Sequence, residues 1–124
     1  MKVLIVEDEP KVAQIFTSHF QRQGHEVFTS DTGDGALEQL KQHQPEFMLL
    51  DLWLKDSTNG MTVLKQLRQV SPKTVAVVST GMEETSQDEV IRLGAAALLR
   101  KPVRLDELDA LVTSLVPATP TTTA

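Results

Sequence analysis

FMLLDL, residues 47–52, decides the architecture of this chain. Phe47-Met48-Leu49-Leu50 is an unbroken apolar run that stops at Asp51. A strand covered on one face alternates apolar with polar residues, whereas a strand buried on both faces does not. The pattern recurs three times. Val3-Leu4-Ile5-Val6 stops at Glu7-Asp8, Val75-Ala76-Val77-Val78 stops at Ser79-Thr80, and Ala96-Ala97-Leu98-Leu99 leads to Lys101-Pro102. Counting a weaker run after Gly24, strands are expected near 2–6, 25–29, 46–50, 74–78 and 96–99.

The segments between them have helical spacing. Val12, Ile15, Phe16 and Phe20 share one face, with Pro10 suited to the first turn and Gly24 to the position just past the end. Ala36, Leu37 and Leu40 mark a second helix ending before Pro45, and Met61, Val63, Leu64 and Leu67 a third ending before Ser71-Pro72. Ser86 and Glu89 form a capping-box pattern for a fourth, which stops at Gly94. Its thin apolar content (Val90, Ile91, Leu93) marks it as the least firmly packed. Leu105, Leu108, Leu111, Val112 and Leu115 line a fifth, ending at Pro117. Alternating strands and helices imply an α/β fold with a parallel sheet covered on both faces, and right-handed crossovers leave few topologies. The expectation is a doubly wound five-stranded parallel sheet, order 2-1-3-4-5, a flavodoxin-like (βα)5 arrangement. That order sets the ends of strands 1 and 3 side by side at the switch point, where ligands bind.

The bulk properties exclude several classes. A chain of 124 residues with 40% hydrophobic and 23% charged residues reads as one ordinary globular domain. No apolar run approaches a membrane span, and without cysteine there is neither a disulfide nor a thiolate metal site. Net charge is −5, the basic residues are scattered, and with one Trp and no Tyr there is no stacking platform, so direct nucleic-acid binding is not expected. With no export signal, the cytoplasm is the expected location. The three histidines (His19, His25, His43) lack ligand spacing and read as surface or boundary residues. Residues 1–116 form the expected domain, and the Pro/Thr-rich 117–124 reads as a disordered tail or the start of a linker.

If the strands are parallel, the polar residues that end them emerge at one edge of one sheet. Three carboxylates, a hydroxyl and an ammonium then share a pocket, which is the inventory for a phosphoryl group carried on a carboxylate. Asp51 is the nucleophile candidate. Glu7 and Asp8 are candidate Mg²⁺ ligands, because magnesium takes oxygen donors and one or two carboxylates. Ser79 or Thr80 could donate a hydrogen bond to the phosphoryl oxygens, and Lys101 could supply positive charge. Taken singly, each has an ordinary structural reading: a solvated turn or helix cap for Glu7-Asp8 and Asp51, loop chemistry for Ser79-Thr80-Gly81, a surface turn for Lys101-Pro102. Their co-occurrence at four strand ends favours the chemical reading.

At this point the chain resembles the receiver domain of two-component response regulators (the CheY-like family), over residues 1 to about 116. VLIVEDEP resembles the opening strand and acidic pair, LLDLWLKDSTNG the phosphoacceptor strand and loop, VVSTG the switch-hydroxyl segment, and RKPV the Lys-Pro segment. The spacing, 43 positions from Asp8 to Asp51 and 50 from Asp51 to Lys101, makes the set specific. The resemblance implies that Asp51 accepts a phosphoryl group from a histidine kinase or phosphotransfer protein. It implies Mg²⁺ held by Asp8, Asp51 and the backbone carbonyl of Trp53, with Glu7 acting through water. Lys101 would pair with the phosphoryl group, and the bond to Pro102 would be cis. Spacing favours Ser79 as the switch hydroxyl, 28 beyond Asp51 and 22 before Lys101, while the local hydroxyl-then-small pattern favours Thr80-Gly81. The implied protein is a self-phosphorylating and self-dephosphorylating signalling domain rather than a multiple-turnover enzyme. It would act through the surface of its fourth helix, fifth strand and fifth helix on a downstream protein target or output domain, as a monomer or weak homodimer.

Several positions depart from the family pattern. Leu98 stands where many members carry Tyr or Phe, which removes the polar-tipped ring that usually follows the hydroxyl. Lys55 replaces a common proline, Val103-Arg104 replaces a common Phe-Asp pair that would cap the fifth helix, and Trp53 is bulky enough to shield an acyl phosphate from water. Two other classes compete. A constitutive interaction module of the same fold would never be phosphorylated, and Leu98 suits it. A phosphatase with an aspartyl nucleophile wants a second acid where Trp53 stands. A flavin site would need an amide-rich loop where EDEPK is acidic.

Overall fold

The computed structural model describes residues 1–54, 59–82 and 84–116. Its elements alternate strictly: β1 (Lys2–Val6), α1 (Pro10–Arg22), β2 (Glu26–Ser30), α2 (Gly33–His43), β3 (Phe47–Asp51), α3 (Gly60–Val70), β4 (Val75–Thr80), α4 (Gln87–Leu93), β5 (Ala97–Arg100) and α5 (Leu105–Leu115). All strand pairs are parallel and the order is β2-β1-β3-β4-β5, as the alternating pattern predicts. Lys55 and the 117–124 segment lie outside the described residues.

Why the strands read as unbroken apolar runs is visible in the packing. Successive residues on a strand point to opposite faces, and here both faces are covered. Val3, Ile5, Phe47, Leu49, Val77 and Leu99 pack with Phe16, Phe20 and Leu108 of α1 and α5. Leu4, Val6, Met48, Leu50, Ala76 and Val78 pack with Ala36, Leu40, Leu64 and Val90 of α2, α3 and α4. The central strands β1, β3 and β4 therefore feed two cores and stay apolar until they end, while the edge strand β2 carries an exposed Thr29.

The helix boundaries follow local chemistry. Pro10 opens α1, whose C-terminus is closed by Gly24 at φ +90. Thr32, Asn59 and Ser86 cap α2, α3 and α4 through their side-chain oxygens. α5 is preceded by Arg104, which gives it no side-chain cap. There the Asp106 carboxylate accepts from the Glu107 N–H at 2.9 Å and pairs with the Arg104 guanidinium. α4 is the shortest helix described, and Val90 is its one buried residue.

Candidate functional site

The acidic site is built by strand parity. Glu7 follows Ile5, Asp51 follows Leu49, Ser79 follows Val77 and Lys101 follows Leu99, each two residues on. All four therefore leave the sheet on the α1/α5 side, at the carboxyl edge of β1, β3, β4 and β5. Asp51 and Ser79 are register partners. Asp8 lies one residue further, in the turn before α1, where the chain is no longer bound to strand alternation. Glu7, Asp8 and Asp51 each bring one carboxylate oxygen to within 4.8 Å of the others.

Lys101 closes the group. Its Nζ donates to Asp51 Oδ2 at 3.0 Å and to Glu7 Oε1 at 3.4 Å. The other Asp51 oxygen accepts the Trp53 backbone N–H at 3.2 Å, and Glu7 Oε2 accepts the Glu9 N–H at 3.2 Å. Glu7 and Asp51 are each only 4% exposed. Burial, and then the Asp51 carboxylate beside it, push the Glu7 carboxyl above the usual range despite the Glu9 N–H and Lys101. For Lys101 burial acts against the charge, but its hydrogen bond to Asp51 and the two carboxylates outweigh it and raise the pKa. The pocket thus holds more negative charge than one ammonium balances.

The start of α3 lies close against the end of β3. The Gly60 N–H donates to Leu52 O at 2.9 Å, and a Cβ at Gly60 would stand 2.7 Å from Leu52 Cα and 2.8 Å from Asp51 O. Only glycine permits that approach. The Lys101–Pro102 bond is cis.

Thr80 is placed differently from the rest. It is fully buried on the α3/α4 side of the sheet, following Val78. Its hydroxyl accepts the Met82 N–H at 3.0 Å and meets Thr85 Oγ1 at 3.2 Å. Leu98 shares that side and packs against the α2–α4 core. The Trp53 indole is half exposed, with its N–H on Thr85 Oγ1 at 3.4 Å. Sequence reading passed over two participants, Thr85 and Arg100. The Arg100 guanidinium donates to Met82 O at 2.8 Å and Thr85 O at 2.9 Å. The signal available was parity: Arg100 precedes Lys101 and so emerges on the opposite face. Of the histidines, His19 pairs with Asp109 across α1 and α5 at 2.8 Å, and His43 stacks on Phe28 at 3.7 Å.

A family model described as the response regulator receiver domain matches residues 3–113. The chain belongs to that family. Among curated relatives, the transcriptional regulatory protein KdpE of Mycobacterium tuberculosis (strain ATCC 25618 / H37Rv) is 32% identical over 105 residues, 85% of this chain and 46% of the relative. The cell cycle response regulator CtrA of Brucella ovis is 33% identical over 118 residues, 94% of this chain and 50% of the relative. The receiver domain thus spans about half the length of the curated relatives it matches. The receiver domain of the Francisella response regulator 1452 superposes with a TM-score of 0.84 at 26% identity, covering 93% of this chain and 95% of that one. Receiver domains of response regulators are signalling domains, and the relatives named as transcriptional regulators are larger proteins. No helix among the described residues is long and apolar enough to cross a membrane.

Proposed function

We propose that this receiver domain is a phosphorylation-controlled switch in which Asp51 accepts a phosphoryl group from a histidine kinase or phosphotransfer protein. One observation carries the reading: Glu7, Asp8, Asp51 and Lys101, from three strand ends and a turn, converge on one pocket at the carboxyl edge of the sheet. The donor set suits Mg²⁺. It is all hard oxygen and contains no soft ligand, and the Glu7 carboxyl, raised first by burial and then by the Asp51 carboxylate beside it, is one that a divalent cation would help to keep ionised. Asp8, Asp51 and the Trp53 carbonyl would hold the ion, with Glu7 acting through water. The ion supplies positive charge against the phosphoryl oxygens.

In the transfer an Asp51 carboxylate oxygen forms the O–P bond as the donor's N–P bond breaks, and the imidazole leaves with the electron pair. Lys101, already at hydrogen-bond distance from Asp51, offers its ammonium to a phosphoryl oxygen. Ser79, the register partner of Asp51 on the same face, donates its hydroxyl to another. Water later attacks the acyl phosphate, returning the carboxylate and inorganic phosphate. The inward movement of Ser79 repacks the α4-β5-α5 surface, a shift between two populations read by a protein target or output domain.

The donor protein has a surface to meet. A cavity of about 450 Å³ between α1 and the β5–α5 connection is lined by Val12, Ile15, Phe16, Pro102, Val103 and Leu105, with Lys101 at its rim. Ile15, 54% exposed, is apolar surface that a partner helix would cover.

The test is intact-mass spectrometry after incubation with Mg²⁺ and acetyl phosphate. Wild type should gain one phosphoryl mass and Asp51→Asn none. Equal uptake by the variant, or none by wild type, removes Asp51 from the role.

A further inference from the structure

A second polar cluster lies on the sheet face opposite the acids, and the phosphoryl chemistry does not use it. Thr80 and Arg100 are register partners at the ends of β4 and β5. Between them they hold the connection from β4 to α4. Thr80 Oγ1 takes the Met82 N–H, and Arg100 takes the carbonyls of Met82 and Thr85. The Thr85 hydroxyl faces both Thr80 Oγ1 and the Trp53 indole N–H. Thr85 is therefore gripped from β5, from β4 and from the β3–α3 connection at once. Around it Leu52, Trp53, Met61, Met82, Glu84 and Glu89 line a cavity of about 170 Å³, which leaves this corner room to rearrange.

The cluster is mechanically tied to the acid site. Ser79 and Thr80 are consecutive strand residues with opposite facing, so a shift that draws Ser79 toward Asp51 moves Thr80 with it. On this face Leu98 has no polar atom to join a hydrogen-bond exchange. The group that can follow Thr80 is the Arg100 guanidinium, with five donors in a fixed fork.

We propose that Arg100, Thr85 and the Trp53 indole form a latch that holds the β4–α4 connection in its resting arrangement and opens when Ser79 moves toward a phosphorylated Asp51. The opening half rests on Asp51 being the phosphoacceptor; the resting half does not. Since Trp53 is the single tryptophan of the chain, its emission reports the latch.

The experiment measures Trp53 fluorescence and amide exchange at Met82 in wild type, Thr85→Val and Arg100→Met. Both are read before and after Mg²⁺ with acetyl phosphate, with phosphoryl uptake followed separately by mass. Neither variant touches the acid site, so both should take up one phosphoryl group. In the resting state, Thr85→Val should already show the emission that wild type acquires on phosphorylation. Arg100→Met should speed Met82 exchange roughly tenfold, the scale set by losing hydrogen bonds to a charged group. Resting spectra and exchange identical to wild type in both variants would refute the latch. Full phosphoryl uptake with unchanged wild-type emission would refute its opening. Absence of uptake in wild type would sink the Asp51 reading and the opening with it, while the resting-state comparison still decides whether the latch exists.

Discussion

Ser79 and Thr80 are adjacent and chemically alike, yet the sheet sends them to opposite faces. Ser79 stands beside Asp51, and Thr80 is committed to Met82 and Thr85. That separation supports Ser79 as the proposed switch hydroxyl, a choice that spacing and local pattern left divided. Glu7 is the residue on which pH acts. Its carboxyl is raised above the ordinary value of 4.5 by burial and by Asp51. Between 4.5 and the raised folded-state value, the native state binds more protons than the unfolded chain, so stability falls as pH rises through that window. The penalty is complete above it and absent below 4.5. Glu7→Gln should therefore raise the Tm of the metal-free protein at pH 7. The gain should vanish as melts are taken toward pH 4. A variant that melts at or below wild type at pH 7 would mean that the Lys101 pairing outweighs the burial of Glu7.

Among the helices, α4 is the shortest. It has seven residues, one of them buried, and its first turn depends on the Ser86 hydroxyl accepting the Glu89 N–H at 3.3 Å. Such short helices take their stability from packing and caps rather than from propensity. Ser86→Ala should cost about 1 kcal/mol, the usual loss of an N-cap. Much of that should appear as faster amide exchange confined to α4, not as a large fall in global Tm. Uniform loss of protection across the sheet would instead show that α4 unfolds only with the whole domain. The thin apolar content of this helix was readable from Val90, Ile91 and Leu93. The hold on its entry by Arg100 was not, because it depends on which face of β5 each residue takes.

For the whole molecule, the proposed cation site at the sheet edge would couple metal binding to folding. A ligand that binds only the native state stabilises it by mass action, about 2.7 kcal/mol at a hundredfold excess over Kd. Mg²⁺ should raise the Tm of wild type accordingly, and Asp8→Asn should lose most of that increment while keeping the fold. An equal Mg²⁺ response in the variant would place the ion elsewhere. Ca²⁺ and monovalent salt serve as controls, since screening alone acts on exposed charges and weakly on a pocket this buried.

The sequence by itself determined the element order, the parallel sheet and the pairing of each strand end with a polar group. Continuous apolar runs have one economical solution, burial between two helical layers. It also pointed to Asp8, Asp51 and Lys101, because each stands at or just past the end of an apolar run, those of β1, β3 and β5. Tertiary structure alone decided how those groups meet: Lys101 bridging Asp51 and Glu7, Gly60 lying against the Asp51 backbone, and Arg100 reaching across to the β4–α4 connection. Periodicity specifies the face a side chain takes, but side-chain reach, loop closure and the sharing of charge in a buried pocket arise only when distant segments pack together.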